Sequence, residues 1–256
     1  MRIDPQAWTA IIPAAGRGTR LGYDRPKILY PVAGRPILNW LLDLFDPQCS
    51  RIVFVLSPEG APDVREALSP ARLAEGRYQI AIQHTPTGMG DAVSIGLERV
   101  TTENVAVVWG DQVALRPESV AECLRIHSEA NADVTVPTVH RPNPYIHFER
   151  DGEGRIVRLL QAREGDTMPA EGESDTGFFC FRTASLRKLL EDLRSNKDTG
   201  RSTGEFNLLP VIPLAARQGA AVLTPHVMEL EETVGVNSAA DAAVVEQYLE
   251  KVHGYR

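Results

Sequence analysis

A chain of 256 residues with 43% apolar side chains carries enough apolar material for one large α/β core, which excludes a disordered tail. Its 27 basic and 34 acidic side chains leave a net charge of −7, a sign that argues against nucleic acid as a partner, because displacing phosphate counterions takes a basic surface. The longest apolar runs, 37–45 and 104–109, fall far short of the roughly 20 residues that span a bilayer, so no membrane partner is expected.

In chain order, the first residues show neither the apolar stretch nor the small-residue cleavage site of a secretory signal. Cys49, Cys123 and Cys180 form no C-x-x-C pair, so neither a disulfide framework nor a cysteine zinc site is expected, and a cytoplasmic setting is. Short β-rich runs at 8–13, 51–57, 78–84, 104–109 and 132–138 alternate with stretches of helical period. The first helix is expected to open at Arg35-Pro36, where a proline without its N–H is tolerated, to carry a wide apolar face over 37–45 and to end at Asp46-Pro47. Further helices are expected over 90–100, 118–130, 183–194, 205–217 and 238–252. Between Pro142 and Phe181 the pattern changes: 145–161 reads as a hairpin turning through residues 151–154, and 162–174 as a polar loop. There is no internal repeat of 20–50 residues. The alternation predicts an α/β fold with a doubly wound, mostly parallel but mixed sheet, a small antiparallel β lobe, and a single domain over 1–256.

The most informative stretch runs from Ile11 to Pro36. Ala14, Ala15, Gly16 and Gly18 remove side-chain bulk just past the first strand, so backbone N–H groups can approach an anion, and Arg20 and Lys27 add positive charge. Open α/β sheets bind ligands at that end of their strands, and phosphate is the expected ligand. The P-loop string G-x-x-x-x-G-K-[ST] is absent. A dinucleotide fingerprint starting at Gly16 meets Leu21 where its third glycine belongs, and the kinase signatures are missing. The histidines show no zinc-site spacing, and no G-x-S-x-G elbow offers a hydrolase nucleophile.

The string Ala14-Ala15-Gly16-Arg17-Gly18-Thr19-Arg20-Leu21, followed by Pro26-Lys27 and by Pro31-Val32-Ala33-Gly34-Arg35-Pro36, resembles the signature of the sugar-1-phosphate nucleotidylyltransferases. The arrangement is most similar to the bacterial N-acetylglucosamine-1-phosphate uridylyltransferases. That resemblance implies a Rossmann-like (GT-A-like) nucleotide-diphospho-sugar transferase fold, Mg²⁺ as cofactor, and two substrates: an NTP (UTP, CTP or dTTP) and a sugar 1-phosphate or another phosphorylated small molecule. It also implies a nucleotide-binding half over about 1–140 and an acceptor-binding half over about 141–256. In this scheme Arg20, Lys27 and Asp111 are catalytic, and Ala14, Ala15, Gly16, Gly18, Thr19, Gln83, Gly88 and Gly110 bind the nucleotide. No acetyl transfer is expected, because the appended hexapeptide-repeat domain of the bifunctional relatives is absent.

Each of these roles competes with a plainer one. Gln83 and Gly88 resemble the base-binding pair of the family, with Gly88-Met89-Gly90 where Gly-Thr-Gly is usual, but Gln83 also ends a strand. Asp111 ends a buried strand where the family holds its metal, and otherwise reads as a surface cap. The second metal ligand would be Asn237, within Val234-Gly235-Val236-Asn237-Ser238, or else Asn237 is the N-cap of the last helix. For the acceptor the resemblance points to Tyr145, Gln161, Asp175, Thr176 and Glu205, and here the letters depart from the family. Asp175 replaces an asparagine, Gln161 a glutamate, Tyr145-Ile146-His147 a tyrosine-glycine-arginine, and Leu209-Pro210 a threonine-aspartate. Two alternatives stay open: a cytidylyltransferase for a polyol phosphate or phosphocholine, and a nucleotide sensor without turnover.

Overall fold

Alternate residues of the buried strands face opposite layers, and this period of two builds the architecture. A computed structural model describes residues 3–253 apart from Arg17 and Val227. The strands and helices are β1 (Trp8–Pro13), β2 (Pro31–Val32), β3 (Arg35–Pro36), α1 (Ile37–Phe45), β4 (Arg51–Leu56), α2 (Ala61–Ala67), α3 (Pro70–Ala74) and β5 (Tyr78–Ile82). They continue with α4 (Met89–Leu97), β6 (Asn104–Val108), α5 (Pro117–Glu129), β7 (Val134–Thr135), β8 (Thr138–Pro142), β9 (Ile146–Arg150) and β10 (Ile156–Gln161). The rest are β11 (Glu171–Asp175), β12 (Phe178–Arg182), α6 (Thr183–Ser195), α7 (Val211–Arg217), β13 (Val222–Leu223) and α8 (Ala239–His253).

The main sheet has seven strands in the order β13-β7-β12-β6-β1-β4-β5. β1 runs parallel to β4 and β6, and β4 parallel to β5, whereas β12 is antiparallel to both β6 and β7. This is the mixed, mostly parallel sheet of a nucleotide-diphospho-sugar transferase α/β fold. Trp8, Ala10 and Ile12 of β1 join Ile52, Phe54 and Phe178 in one apolar layer with α1, α5 and α8. Ile11, Val53, Val107 and Phe179 join the opposite layer under α4, α6 and α7. Two further small sheets, β9/β10 and β8/β11, are antiparallel and form the expected lobe.

Several element boundaries differ from expectation. The first helix starts at Ile37, because Pro36 takes ψ 143 and the Arg35–Pro36 pair bonds antiparallel to Pro31–Val32. The strand expected over 132–138 splits into β7 and β8 on either side of Pro137, which has no N–H for a ladder. The loop expected over 162–174 contains a 3₁₀ turn, Ala162–Glu164, and most of β11. The helix expected over 205–217 is confined to Val211–Arg217, because the backbone of Phe206 and the side chain of Asn207 bond elsewhere. The short helices α2 and α3 and the antiparallel β12 are additions that the periodicity did not predict.

Candidate active site

A cleft of about 660 Å³ opens past the carboxyl ends of β1, β5 and β6, where the ligand site of an open α/β sheet belongs. The residues that follow these strands extend the ladder before they leave it: the Ala14 N–H donates to the Val55 carbonyl at 2.8 Å and the Gly110 N–H to the Pro13 carbonyl at 3.2 Å. Ala14, Ala15, Gly16, Gln83, Gly88 and Gly110 all line the cleft. Gly18 is not among the lining residues; it has φ +64, and a Cβ there would lie 2.9 Å from Lys27 Cβ, so only glycine lets the loop fold against the lysine. Thr19 belongs to a 3₁₀ turn, Thr19–Leu21, but its side chain lies outside the described residues.

Four residues far apart in sequence meet on one side of the cleft. Lys27 opens the 3₁₀ turn Lys27–Leu29, and its Nζ lies 2.5 Å from Asp111 Oδ2 and 2.8 Å from Asn237 Oδ1. The exposed Arg20 donates to the same Asn237 oxygen at 3.2 Å. Asp111 is fixed from behind: its carbonyl accepts the Val236 N–H at 3.0 Å, and Gly235 leaves room for its carboxyl. Asn237 is not the N-cap of α8, because Ser238 caps it by accepting the Asp241 N–H at 3.2 Å. The Asn237 amide oxygen faces Lys27, its Nδ2 donates to the Gly235 carbonyl at 3.2 Å, and its backbone N–H donates to Asp241 Oδ2 at 3.0 Å.

Gln83 is buried, and its amide N–H groups donate to the Gly88 carbonyl at 3.2 Å and to Asp91 Oδ2 at 3.1 Å. The expected base-binding pair is therefore joined directly, with Asp91 as a third member that the sequence reading did not name. Gly88 has φ +124, and a Cβ there would sit 2.4 Å from the Phe206 carbonyl oxygen. The chain is drawn this close by two backbone bonds, Phe206 N–H to Thr87 O and Gly90 N–H to Phe206 O, both 2.8 Å.

Of the residues expected to bind an acceptor, Tyr145, Gln161, Asp175 and Glu205 line the cleft, whereas Thr176 is 1% exposed and is not among the lining residues. Tyr145 stands at the rim, 58% exposed. Glu205 is bound by Arg163. One Asp175 oxygen accepts the Gly177 N–H at 2.9 Å, and burial pushes its carboxyl above the ordinary range. Glu164, 4% exposed, organises the loop that carries Glu205. Its carboxylate accepts Ser202 N–H (2.9 Å), Thr203 N–H (3.2 Å), Thr203 Oγ1 (2.7 Å) and Asn207 Nδ2 (3.0 Å). Burial alone would raise its pKa, but these donors outweigh burial and hold it at about 2. Gln112, Arg141 and Arg163 also line the cleft and were not anticipated; only Gln112, next to Asp111, carried a positional signal. Of the histidines, His127 is structural: it is buried edge-on against Trp8, with Nδ1 2.9 Å from Thr135 Oγ1.

Among the described residues no helix is long and apolar enough to cross a membrane. Comparison with known proteins places this cleft in context. The bifunctional protein GlmU of Desulfitobacterium hafniense (strain Y51) is 30% identical over 249 residues, covering 93% of this chain and 51% of that protein. The namesakes from Carboxydothermus hydrogenoformans and Cupriavidus pinatubonensis are 31% and 33% identical, covering 91% and 93% of this chain and 51% of each of those proteins. The chain thus spans about half the length of the curated relatives it matches. The profile of one family matches residues 10–202, from within β1 through α6 and into the loop that Glu164 holds. By that match, the chain belongs to the MobA-like NTP transferase domain family.

Proposed function

We propose that the protein is a sugar-phosphate nucleotidyltransferase (a pyrophosphorylase) that joins an NTP to a sugar 1-phosphate and releases pyrophosphate. The observation that carries this reading is the Lys27 ammonium, held between Asp111 and Asn237 at the mouth of a loop of small residues. An acceptor phosphate oxygen attacks the α-phosphorus, the new P–O bond forms, and the bond to the β-phosphate breaks. The attacking group is already anionic near neutral pH, so the residues need not remove a proton. Their work is to hold two mutually repelling anions in line and to offset the charge that develops between them. Lys27 serves the α-phosphate and the incoming phosphate. Arg20 and the backbone amides of residues 14–19 serve the β- and γ-phosphates. Gln83, Gly88 and Gly110 bind the nucleoside in a half formed by about 1–140. Tyr145, Gln161, Asp175 and Glu205 bind the acceptor in the half that follows, with Thr176 supporting their wall from behind.

Mg²⁺ fits the same place. Asp111 and Asn237 offer hard oxygen donors that already converge on one cation, the Lys27 ammonium. No cluster of three His, Cys, Asp or Glu side chains suited to a metal occurs among the described residues, so these two would hold the ion together with phosphate oxygens. Bound there, Mg²⁺ supplies charge neutralisation at the phosphates. Three free, buried cysteines support a reducing, cytoplasmic setting. The test is pyrophosphate release from UTP, CTP and dTTP with Mg²⁺ and a panel of sugar and alcohol phosphates. Release with at least one pair is expected. Tight NTP binding with no release across the panel would leave a sensor and sink the reading.

A further inference from the structure

Among the described residues three cationic side chains line the cleft, Lys27, Arg141 and Arg163, and their partners differ. Lys27 is neutralised by Asp111 and Arg163 by Glu205. Arg141 stands on β8 opposite Gly172 of β11. Among the described residues its hydrogen-bond partner is the Thr233 hydroxyl, 3.4 Å from Nη1; its charge acts on the Asp175 carboxyl without an ion pair or hydrogen bond between them, and its Nε is sealed from solvent with no partner. A guanidinium keeps its charge throughout the physiological range and presents a planar fork that matches carboxylate and phosphate oxygens. Arg141 makes no ion pair among the described residues, so the guanidinium's other N–H groups are left for a ligand in the cleft. Gln112 makes the same point from the opposite polarity: it is 5% exposed, lines the cleft, and its amide oxygen has no partner. The cleft lining therefore includes a cation without an ion-pair partner and a buried amide oxygen without a donor.

We propose that Arg141 binds an oxyanion of the acceptor, a phosphate or a carboxylate. That the bound molecule is an acceptor rests on the nucleotidyl-transfer reading; the anion site itself does not. Thr233, which Arg141 touches, begins the segment that ends at Asn237, so the site lies on the chain that also carries the Lys27 contact. The anion is either the reacting phosphate or a second acidic group on the same molecule.

Calorimetric titration of glucose 1-phosphate, glucuronic acid 1-phosphate and inorganic phosphate into the wild-type protein, Arg141→Gln and Arg141→Lys separates these cases. Losing a charge-assisted hydrogen bond predicts binding weakened on the order of 10-fold or more in Arg141→Gln. Part of that loss should return in Arg141→Lys, with the thermal midpoints of both variants near that of wild type. Loss against all three probes identifies the reacting phosphate, and loss confined to glucuronic acid 1-phosphate identifies a second, carboxylate contact. Binding within twofold of wild type for every probe, or no binding of any probe by the wild-type protein at millimolar concentration, overturns the proposal. Pyrophosphate release is scored separately. Arg141-dependent binding without release in the wild type removes the transfer reading and leaves the anion site. Release together with Arg141-independent binding does the reverse.

Discussion

The two sides of the cleft are built on different principles. On the side proposed for the nucleotide, Ala14, Gln83 and Asp111 follow the carboxyl ends of the buried parallel strands β1, β5 and β6, so the sheet itself sets their positions. On the side proposed for the acceptor the wall comes from short antiparallel strands and a long loop, and side-chain networks hold it in place. Glu164 gathers residues 202–207, and Arg150 grips Glu173 across the lobe at 2.7 and 2.6 Å. The first arrangement is rigid because it is backbone; the second depends on individual side chains and is correspondingly easier to alter. Departures from the family's letters gather on that second side, at Gln161, Asp175, Ile146 and Leu209.

Substitutions can break or sharpen this contrast. The largest effect is expected from Lys27→Ala, which should lower kcat/KM for pyrophosphate release by about 10²- to 10³-fold, or roughly 3–4 kcal/mol, as for losing one preorganised electrostatic group. Near-wild-type turnover would remove Lys27 from its role. Next is Gly88→Ala, where a methyl 2.4 Å from the Phe206 carbonyl and a φ of +124 combine. Such a clash should lower stability on the order of 2–4 kcal/mol. Chemical denaturation measures the loss, and hydrogen exchange should localise it to residues 86–91 and 205–208. A loss confined to 86–91 would mean that the two sides are not joined there.

Glu164→Gln tests the network directly. Removing a multiply bonded, buried carboxylate should lower stability by about 1–3 kcal/mol at neutral pH. Because the folded pKa of Glu164, about 2, lies below its ordinary 4.5, the contribution is present above pH 4.5 and fades as pH falls toward 2. Thermal midpoints of the two proteins should therefore converge in acid; a constant offset would show that the charge is not what matters. The smallest effect is expected at Asp175→Asn. Burial raises the folded pKa of Asp175, so its ionised form is penalised in the folded state at neutral pH. The amide keeps an oxygen for the Gly177 N–H. A slightly higher thermal midpoint at pH 7, vanishing below the ordinary aspartate range, is the expected result, and a lower midpoint would contradict it.

This contrast also explains what could be read from the letters alone. Ala14, Lys27 and Asp111 sit in short strings whose chemistry is local: a strand end, small residues, a charge. Asn237 was legible as one of two possibilities, and the structure removes the helix-cap one, because it is Ser238 whose side chain accepts the Asp241 N–H. Arg141 and Glu164 were missed because their meaning lies in partners distant in sequence, Thr233 for one and residues 202–207 for the other. The same distance misled the reading of 205–217 as one helix. Apolar spacing there is helical, but Phe206 gives its backbone to Thr87 and Gly90, and the helix waits until Val211. Pro137 marked a strand break that periodicity passed over.

The bonds between Phe206 and residues 87 and 90 involve only main-chain atoms. They are indifferent to which side chain stands at 206 and intolerant of any change in the number of residues between it and the turn anchored by Glu164. Evolution or an engineer can therefore change the side chain at 206 one letter at a time, but an insertion or deletion in this loop would pull the turn at Thr87–Gly90 out of register along with it. Diversity among chains built on this plan should appear as altered residues at 205–209, at constant loop length.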